Sequence, residues 1–215
     1  SGGSGDRKND PRPLFRQQSI SLKPGIVFPL KKGTMGLNIG YRRYSEDNEV
    51  GFLSVQNTLL YRLRGYGTFS RTPFVSGERL IRADQGLAAI YYKSENGWNI
   101  ASEFKITGGQ VTEGIANPNP QGEWNDVNIN FSLQHLTRED PVSWRLLYFY
   151  FNQAGTDPVF QAVNYYLQKQ QLKANLSWNP NENNHFDFTA GWLFRKQRDI
   201  VAATEANIMH ATIEV

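Results

Sequence analysis

Three histidines, His135, His185 and His210, are the side chains best suited to hold a metal or move a proton near neutral pH. None stands two or four residues from another and no zinc pattern surrounds them, so each reads as a polar residue on a wet or interfacial surface. His135 abuts a turn, but no GxSxG motif supplies a nucleophile for it. Asp6, Asp10, Glu46, Asp47 and Glu49 fall on expected loops without the spacing of a calcium loop. With no cysteine, disulfides and thiolate metal sites are excluded. The expectation is a protein that is not an enzyme, with no catalytic, cofactor or metal residues. What remains are charges in close register: Glu103 with Lys105, and Lys169 with Lys173. Such groups build a lumenal ion-pair network or line a polar passage.

The elements that position these charges are strands. In DVNINFSLQHL, residues 126 to 136, Val127, Ile129, Phe131 and Leu133 alternate with Asn128, Asn130, Ser132 and Gln134. Period two is the mark of a strand. Similar alternation gives about nine strands, at roughly 19 to 30, 34 to 45, 80 to 93, 97 to 109, 124 to 136, 143 to 153, 164 to 178, 185 to 195 and 206 to 215. Many reach the ~9 to 11 residues of a tilted membrane strand, beyond the ~5 to 6 usual in globular sheets. Short links at 31 to 33, 94 to 97, 137 to 142 and 179 to 184 alternate with longer polar stretches at 46 to 79, 110 to 123, 154 to 163 and 196 to 205. Short turns on one side and long loops on the other are the pattern of an up-and-down barrel. The apolar run Leu59-Leu60-Tyr61-Arg62-Leu63 is read as local structure inside one long outer loop, 46 to 79.

Written out by alternation, one face carries residues such as Leu22, Ile26, Leu37, Ile39, Ile81, Ala83, Leu87, Ile100, Phe104, Leu172, Leu176, Phe186 and Trp192, and no Lys, Asp or Glu. The other carries charges of both signs: Lys23, Arg42, Arg82, Asp84, Glu103, Lys105, Asp126, Lys169, Lys173 and Asp187. These ten are the expected lumen-lining residues. A cation at the lipid midplane costs about 2 to 4 kcal/mol, whereas a hydrated lumen tolerates it. The strand at 143 to 153 is apolar on both faces. If Trp144, Leu146, Tyr148 and Tyr150 face outward, Leu147, Phe149 and Phe151 fill the lumen or touch an infolded loop.

Aromatics decide between lipid and a soluble core. The chain holds 13 Phe, 10 Tyr and 5 Trp yet is only 39% hydrophobic, the balance of strands with one greasy and one wet face. Trp98, Trp144 and Trp178 stand beside short turns, where indole suits the headgroup interface. Tyr41, Tyr44, Trp124, Tyr165 and Tyr166 stand near the long-loop ends and would form a second girdle. A soluble β-sandwich binding module is the alternative; strand length, loop asymmetry and the lack of a second apolar layer weigh against it. No apolar run approaches the 18 residues of a membrane helix. The net charge of +3 is spread along the chain without a basic cluster, which argues against nucleic acid as a partner.

The opening SGGSGDRKNDPRP lacks signal-peptide features, its first five residues fitting a linker or a Gly/Ser loop tip equally, and NIMHATIEV stops inside a strand. Residues 1 to 215 therefore read as part of a single longer barrel domain, truncated at both termini. Three segments, SGDRKNDPRPL at 4 to 14, RGYG at 64 to 67 and the hairpin from GQVTEG to WNDVNINF at 109 to 131, carry a resemblance. On them the chain resembles Bacteroidota outer-membrane β-barrel proteins of a family of unknown function, matching the later part of a longer barrel. The resemblance implies an all-β, antiparallel up-and-down transmembrane barrel in the bacterial outer membrane, and no catalytic residues. The functions that follow are a channel or transport component for small solutes, or a plugged barrel that scaffolds a partner such as a surface lipoprotein, with outer-membrane lipid as the surrounding partner and no cofactor.

Overall fold

In a computed structural model of the chain, residues 2–4, 12–51, 77–114, 119–136, 141–157, 161–181, 184–200 and 203–214 are described. They form one antiparallel sheet without a helix: β1 (Gly2–Ser4), β2 (Arg12–Leu22), β3 (Gly25–Leu30), β4 (Gly33–Gly51), β5 (Gly77–Ser94), β6 (Trp98–Glu113), β7 (Asn119–His135), β8 (Val142–Asp157), β9 (Ala162–Asn181), β10 (Asn184–Asp199) and β11 (Thr204–Glu214). Strands pair in sequence order, with β2 and β3 sharing the outer side of β4. This is an up-and-down β fold consistent with a barrel. Among the described strands none joins β11 to the β1–β3 side, so the sheet is open.

The expected segment 19 to 30 is two strands rather than one. Pro24 has no N–H to give to a ladder, and the chain breaks at Lys23 and Pro24. The gap is bridged by Ile39 N–H, which donates to the Pro24 carbonyl at 3.1 Å. Pro29 is tolerated within β3 because that strand pairs only with β4 and lies at the sheet edge. The opening Gly/Ser segment is not simply a loop tip, since Gly2–Ser4 pairs with Leu14–Arg16.

A second correction concerns the long connections. β6 runs to Glu113 and β7 starts at Asn119; β8 runs to Asp157 and β9 starts at Ala162; β10 runs to Asp199 and β11 starts at Thr204. Most of 110 to 123, 154 to 163 and 196 to 205 is therefore strand. Alternation reveals a strand only where its two faces differ along several residues, and here, Val111 apart, polar residues and glycines hold most positions of both faces while the backbone ladder continues. Strands β4 to β10 reach 16–20 residues as a result. Glu46, Asp47 and Glu49 likewise belong to β4 rather than a loop. Of the expected loop 46 to 79, residues 52 to 76, with Leu59 to Leu63 and RGYG, lie outside the described residues, as do Asp6 and Asp10.

The short turns are tied into one rim. Glu95 N–H donates to the Lys32 carbonyl, Leu136 N–H to that of Gly97 and Asn179 N–H to that of Pro141, at 3.2, 2.9 and 2.7 Å. Gly97 takes φ 81°, which a side chain would strain, and Ser94 Oγ accepts from Asn96 N–H and Trp98 N–H to close the turn.

Little is buried. Ala83, Val111 and Trp124 form the one cluster of buried apolar side chains among the described residues, with Tyr44 and Ile81 packed against it. Trp124 lies over Gly109, its direct cross-strand partner, and a Cβ at Gly109 would overlap the indole. Gly109→Val should therefore expel the ring and cost about 1–3 kcal/mol by overpacking, with tryptophan emission shifting to the red. Gly86→Ala, whose Cβ would meet Ile106 at 3.5 Å, should leave the unfolding midpoint within about 0.5 kcal/mol of the parent.

Candidate functional site: the two faces of the sheet

In an antiparallel pair, directly opposed residues share a face, so register fixes the faces strand by strand. Leu22 opposes Tyr41, Leu37 opposes Ile90, Ile106 opposes Val127, Ile129 opposes Tyr150, Leu146 opposes Ala174 and Trp192 opposes Leu172. This face is convex, because one cavity on the other side gathers Ala89, Glu103, Asn130, Phe149 and Gln171 from five successive strands. The phase of β8 follows: Trp144, Leu146, Tyr148 and Tyr150 point to the convex side, and Leu147, Phe149 and Phe151 to the concave one.

The convex face is banded. From the short-turn rim upward β6 presents Trp98, Ile100, Ser102, Phe104 and Ile106, β7 presents Leu133, Phe131, Ile129 and Val127, and β10 presents Phe186, Phe188, Ala190, Trp192 and Phe194. Ile39, Ile106 and Met209 are 67%, 51% and 73% exposed, so the band is uncovered. Past it the same face turns polar, with Gln110 on β6, Asn125 on β7, Asn152 on β8 and Lys196 on β10. On β4 and β5 the border is drawn by Tyr41, which donates to Asp84, and by Arg43, whose Nε–H reaches Asp84 Oδ1 at 2.8 Å. Arg43, and after it Tyr41, hold the Asp84 carboxyl below the usual carboxylate range.

At the short-turn rim, Trp98 and Trp144 meet edge to face at 5.4 Å, with His135 beside Trp98 at 4.8 Å. Trp178 stacks on Phe186 at 5.5 Å. Trp98, Trp144, Trp178 and Tyr41 thus all sit on the convex face, the tryptophans in one row. Trp124 does not: it shares the concave face with Asp126 and Asn128 and is 5% exposed, because Gly109 opposite leaves room for the ring. Tyr44 is concave too, opposite Ala83.

Eight of the ten expected lumen residues share the concave face: Lys23, Arg42, Glu103, Lys105, Asp126, Lys169, Lys173 and Asp187. Arg82 and Asp84 are the exceptions. They oppose Ser45 and Arg43 on the convex face, above the apolar band, so the β5 faces are the reverse of those expected and Ile81, Ala83, Leu87, Ala89 and Tyr91 point inward. Both phases of β5 carry apolar residues, and the charges alone do not fix which side they take.

Charges on the concave face converge on Glu103. Lys105 Nζ lies 2.5 Å from its carboxylate, Lys23 Nζ 3.7 Å, and Asn130 Nδ2 donates at 3.4 Å while also reaching Asn128 at 3.0 Å. Lys23 passes over Gly40 and its neighbour Leu87 to arrive there, a path a larger residue at Gly40 would obstruct. Asp187 accepts from Ser177 Oγ at 2.6 Å and meets His185 Nε2 at 2.8 Å. Lys169 stands over the Phe149 ring, 5.9 Å from its centre, and Phe149 stacks with Phe151 at 6.5 Å. Arg145 was not foreseen as part of this face. Its position follows once Trp144 is taken as convex, since the next residue must point the other way. Among the described residues no three His, Asp or Glu side chains converge in a manner that could hold a metal ion.

A family model described as a family of unknown function, DUF6850, matches residues 1–215. The chain belongs to this family. No curated protein and no solved structure matches this DUF6850 member. The match carries no activity, so the two faces themselves have to supply the chemistry.

Glu103 provides a direct check of this network. A double-mutant cycle on Glu103 and Lys105, with side chains 26% and 27% exposed, should give a coupling on the order of 1 kcal/mol in urea unfolding. The cycle with Lys23, longer and 47% exposed, should give only about 0.3 kcal/mol. The reverse order would mean that Lys23, rather than Lys105, holds the carboxylate.

Proposed function

We propose that this chain is part of the wall of a bacterial outer-membrane β-barrel, with its convex face in lipid and its concave face lining a polar, charged passage for small solutes. The observation that carries the reading is the charge-free, uncovered convex band. Along β6 it runs eight residue steps from Trp98 to Ile106, roughly 26 Å at the ~3.3 Å rise of a strand and about 20 Å tall at barrel tilt. That approaches the ~25 Å apolar height of outer-membrane barrels. The crossing segments are then the band alone, 98–106 in β6, 127–135 in β7 and 186–194 in β10, and the polar strand ends beyond it stand in water. The Trp98, Trp144 and Trp178 row suits a headgroup interface at the periplasmic side. A soluble sandwich needs a second apolar layer over this face, and among the described strands none lies there. The resemblance to Bacteroidota barrels points to the same membrane.

A second reading draws on Leu147, Phe149 and Phe151, which face inward. Apolar bulk on a lumen wall suits a plugged barrel that presents outer loops to a partner such as a surface lipoprotein. Conductance in planar bilayers separates the two, since a folded, inserted barrel without current leaves only the plugged form.

The faces give the sharpest test of the membrane reading. Phe131→Lys puts a cation in the middle of the band at about 2–4 kcal/mol and should abolish folding into lipid vesicles, read by heat-modifiable migration. Asn130→Lys, one residue away on the concave face, should fold as the parent does. Equal behaviour of the two, or a parent chain that is folded and monomeric in water without detergent, would falsify it.

A further inference from the structure

A cavity on the concave face has a volume of about 470 Å³, within the ~300–1,000 Å³ typical of small-ligand sites. Its two sides differ. Ala89, Ala101 and Ser132 on β5–β7 are small and leave the space open, whereas Leu147 and Phe149 on β8 fill the facing side with apolar surface. The Phe149 ring lies parallel to that of Phe151, 4° apart, and is held in that orientation beside the cavity.

Charge in the cavity is unbalanced. Glu103 is its one acid, already held by Lys105 and Lys23. Arg145 and Lys173 line the same space, and among the described residues no carboxylate lies within ion-pair range of either. Lys173 stands directly across from Leu147, and Arg145 two residues before Leu147 on the same face, so both cations border the apolar wall. A guanidinium fork and an ammonium beside a flat apolar surface match a planar anion whose charge sits at one end.

We infer that this cavity is a binding site for a small aryl carboxylate, with the carboxylate on Arg145 and Lys173 and the ring against Phe149 and Leu147. A neutral sugar would leave both cations without a counter-charge, and an organic cation would face two like charges. The site uses the concave face alone and stands whether the convex face meets lipid or another surface.

The test is equilibrium dialysis of the full chain, folded in dodecyl maltoside, against 2-naphthoate, with protein-free micelles as the blank. One saturable site per chain is expected, with 2-naphthylmethanol and 2-naphthylmethylammonium each bound at least tenfold more weakly. Arg145→Gln and Lys173→Gln should each weaken naphthoate at least tenfold. Arg145→Lys, which keeps the charge but not the fork, should bind naphthoate more weakly than the parent and more tightly than Arg145→Gln, distinguishing loss of charge from misfolding. Equal binding of the three naphthalenes, unchanged affinity in the glutamine variants, or no saturable binding overturns the assignment. Naphthoate binding by a chain that fails to enter vesicles would reject the membrane reading and leave this site intact.

Discussion

An antiparallel ladder forces neighbours in sequence to opposite faces and opposed residues to the same one, so a slip of one residue would exchange a strand's two surfaces. The band, the Glu103 network and the cavity all depend on that constraint. From β5 to β11 the register runs with few irregularities, between Val111 and Thr112, between Gly155 and Thr156, and between Asn184 and Phe186. Each lies at a strand end. The middle of the sheet therefore keeps one phase, and Phe104, Ile129, Tyr150 and Gln170 stand in line across four strands on one side while Lys105, Asn128, Phe151 and Lys169 stand in line on the other.

How much of this was legible in the sequence depended on how unlike the two faces of each strand are. β7, β9 and β10 alternate cleanly, and their faces follow from residues such as Phe131 against Asn130 and Trp192 against Gly191. β5 does not alternate cleanly. Its inward side holds Ile81 and Ala83 against Trp124 and Val111, its outward side holds Ile90 and Tyr92 below Asp84 and Arg82, and so both phases look half apolar. Only pairing with β4 resolves it. Trp124 was legible but misread: it has the same parity as Asp126 and Asn128, which places it on the wet face, and Gly109 makes the room it fills. The strand extensions were not legible, because with polar residues on most positions of both faces, and Val111 the lone buried apolar residue in the β6 extension, no alternation reports a backbone that is still paired.

The distribution of apolar surface differs from that of a β-sandwich. A sandwich buries its apolar faces against one another, about 10 Å apart, and a barrel of this polarity turns them outward. Here the buried cluster is Ala83, Val111 and Trp124, on the concave side, while the largest continuous apolar surface is convex and open. In water such a surface is a site for association, being far beyond scattered exposed residues. The concave side has the opposite composition, with amides, paired charges and only a local apolar wall at Leu147, Phe149 and Phe151, so its chemistry is that of a hydrated surface with specific contacts.

The two edges sharpen the point. Exposure is greatest there, with Ile20 at 75% and Leu22 at 69% on β2 and Ile213 at 83% on β11, because each lacks a neighbour on one side. Apart from Leu14–Arg16, which pair with β1, their outer backbone N–H and C=O groups are unpaired among the described strands. Water satisfies such groups; hydrocarbon does not, and each one left open in lipid costs several kcal/mol. A sheet whose convex band lies in a bilayer therefore cannot keep these edges free. Lipid outside the band requires further strands against β3 and β11, or the same edges brought together, whereas an aqueous setting imposes no such demand. The side chains of the convex face and the backbone of the two edges thus make separate demands, and a closed barrel meets both at once.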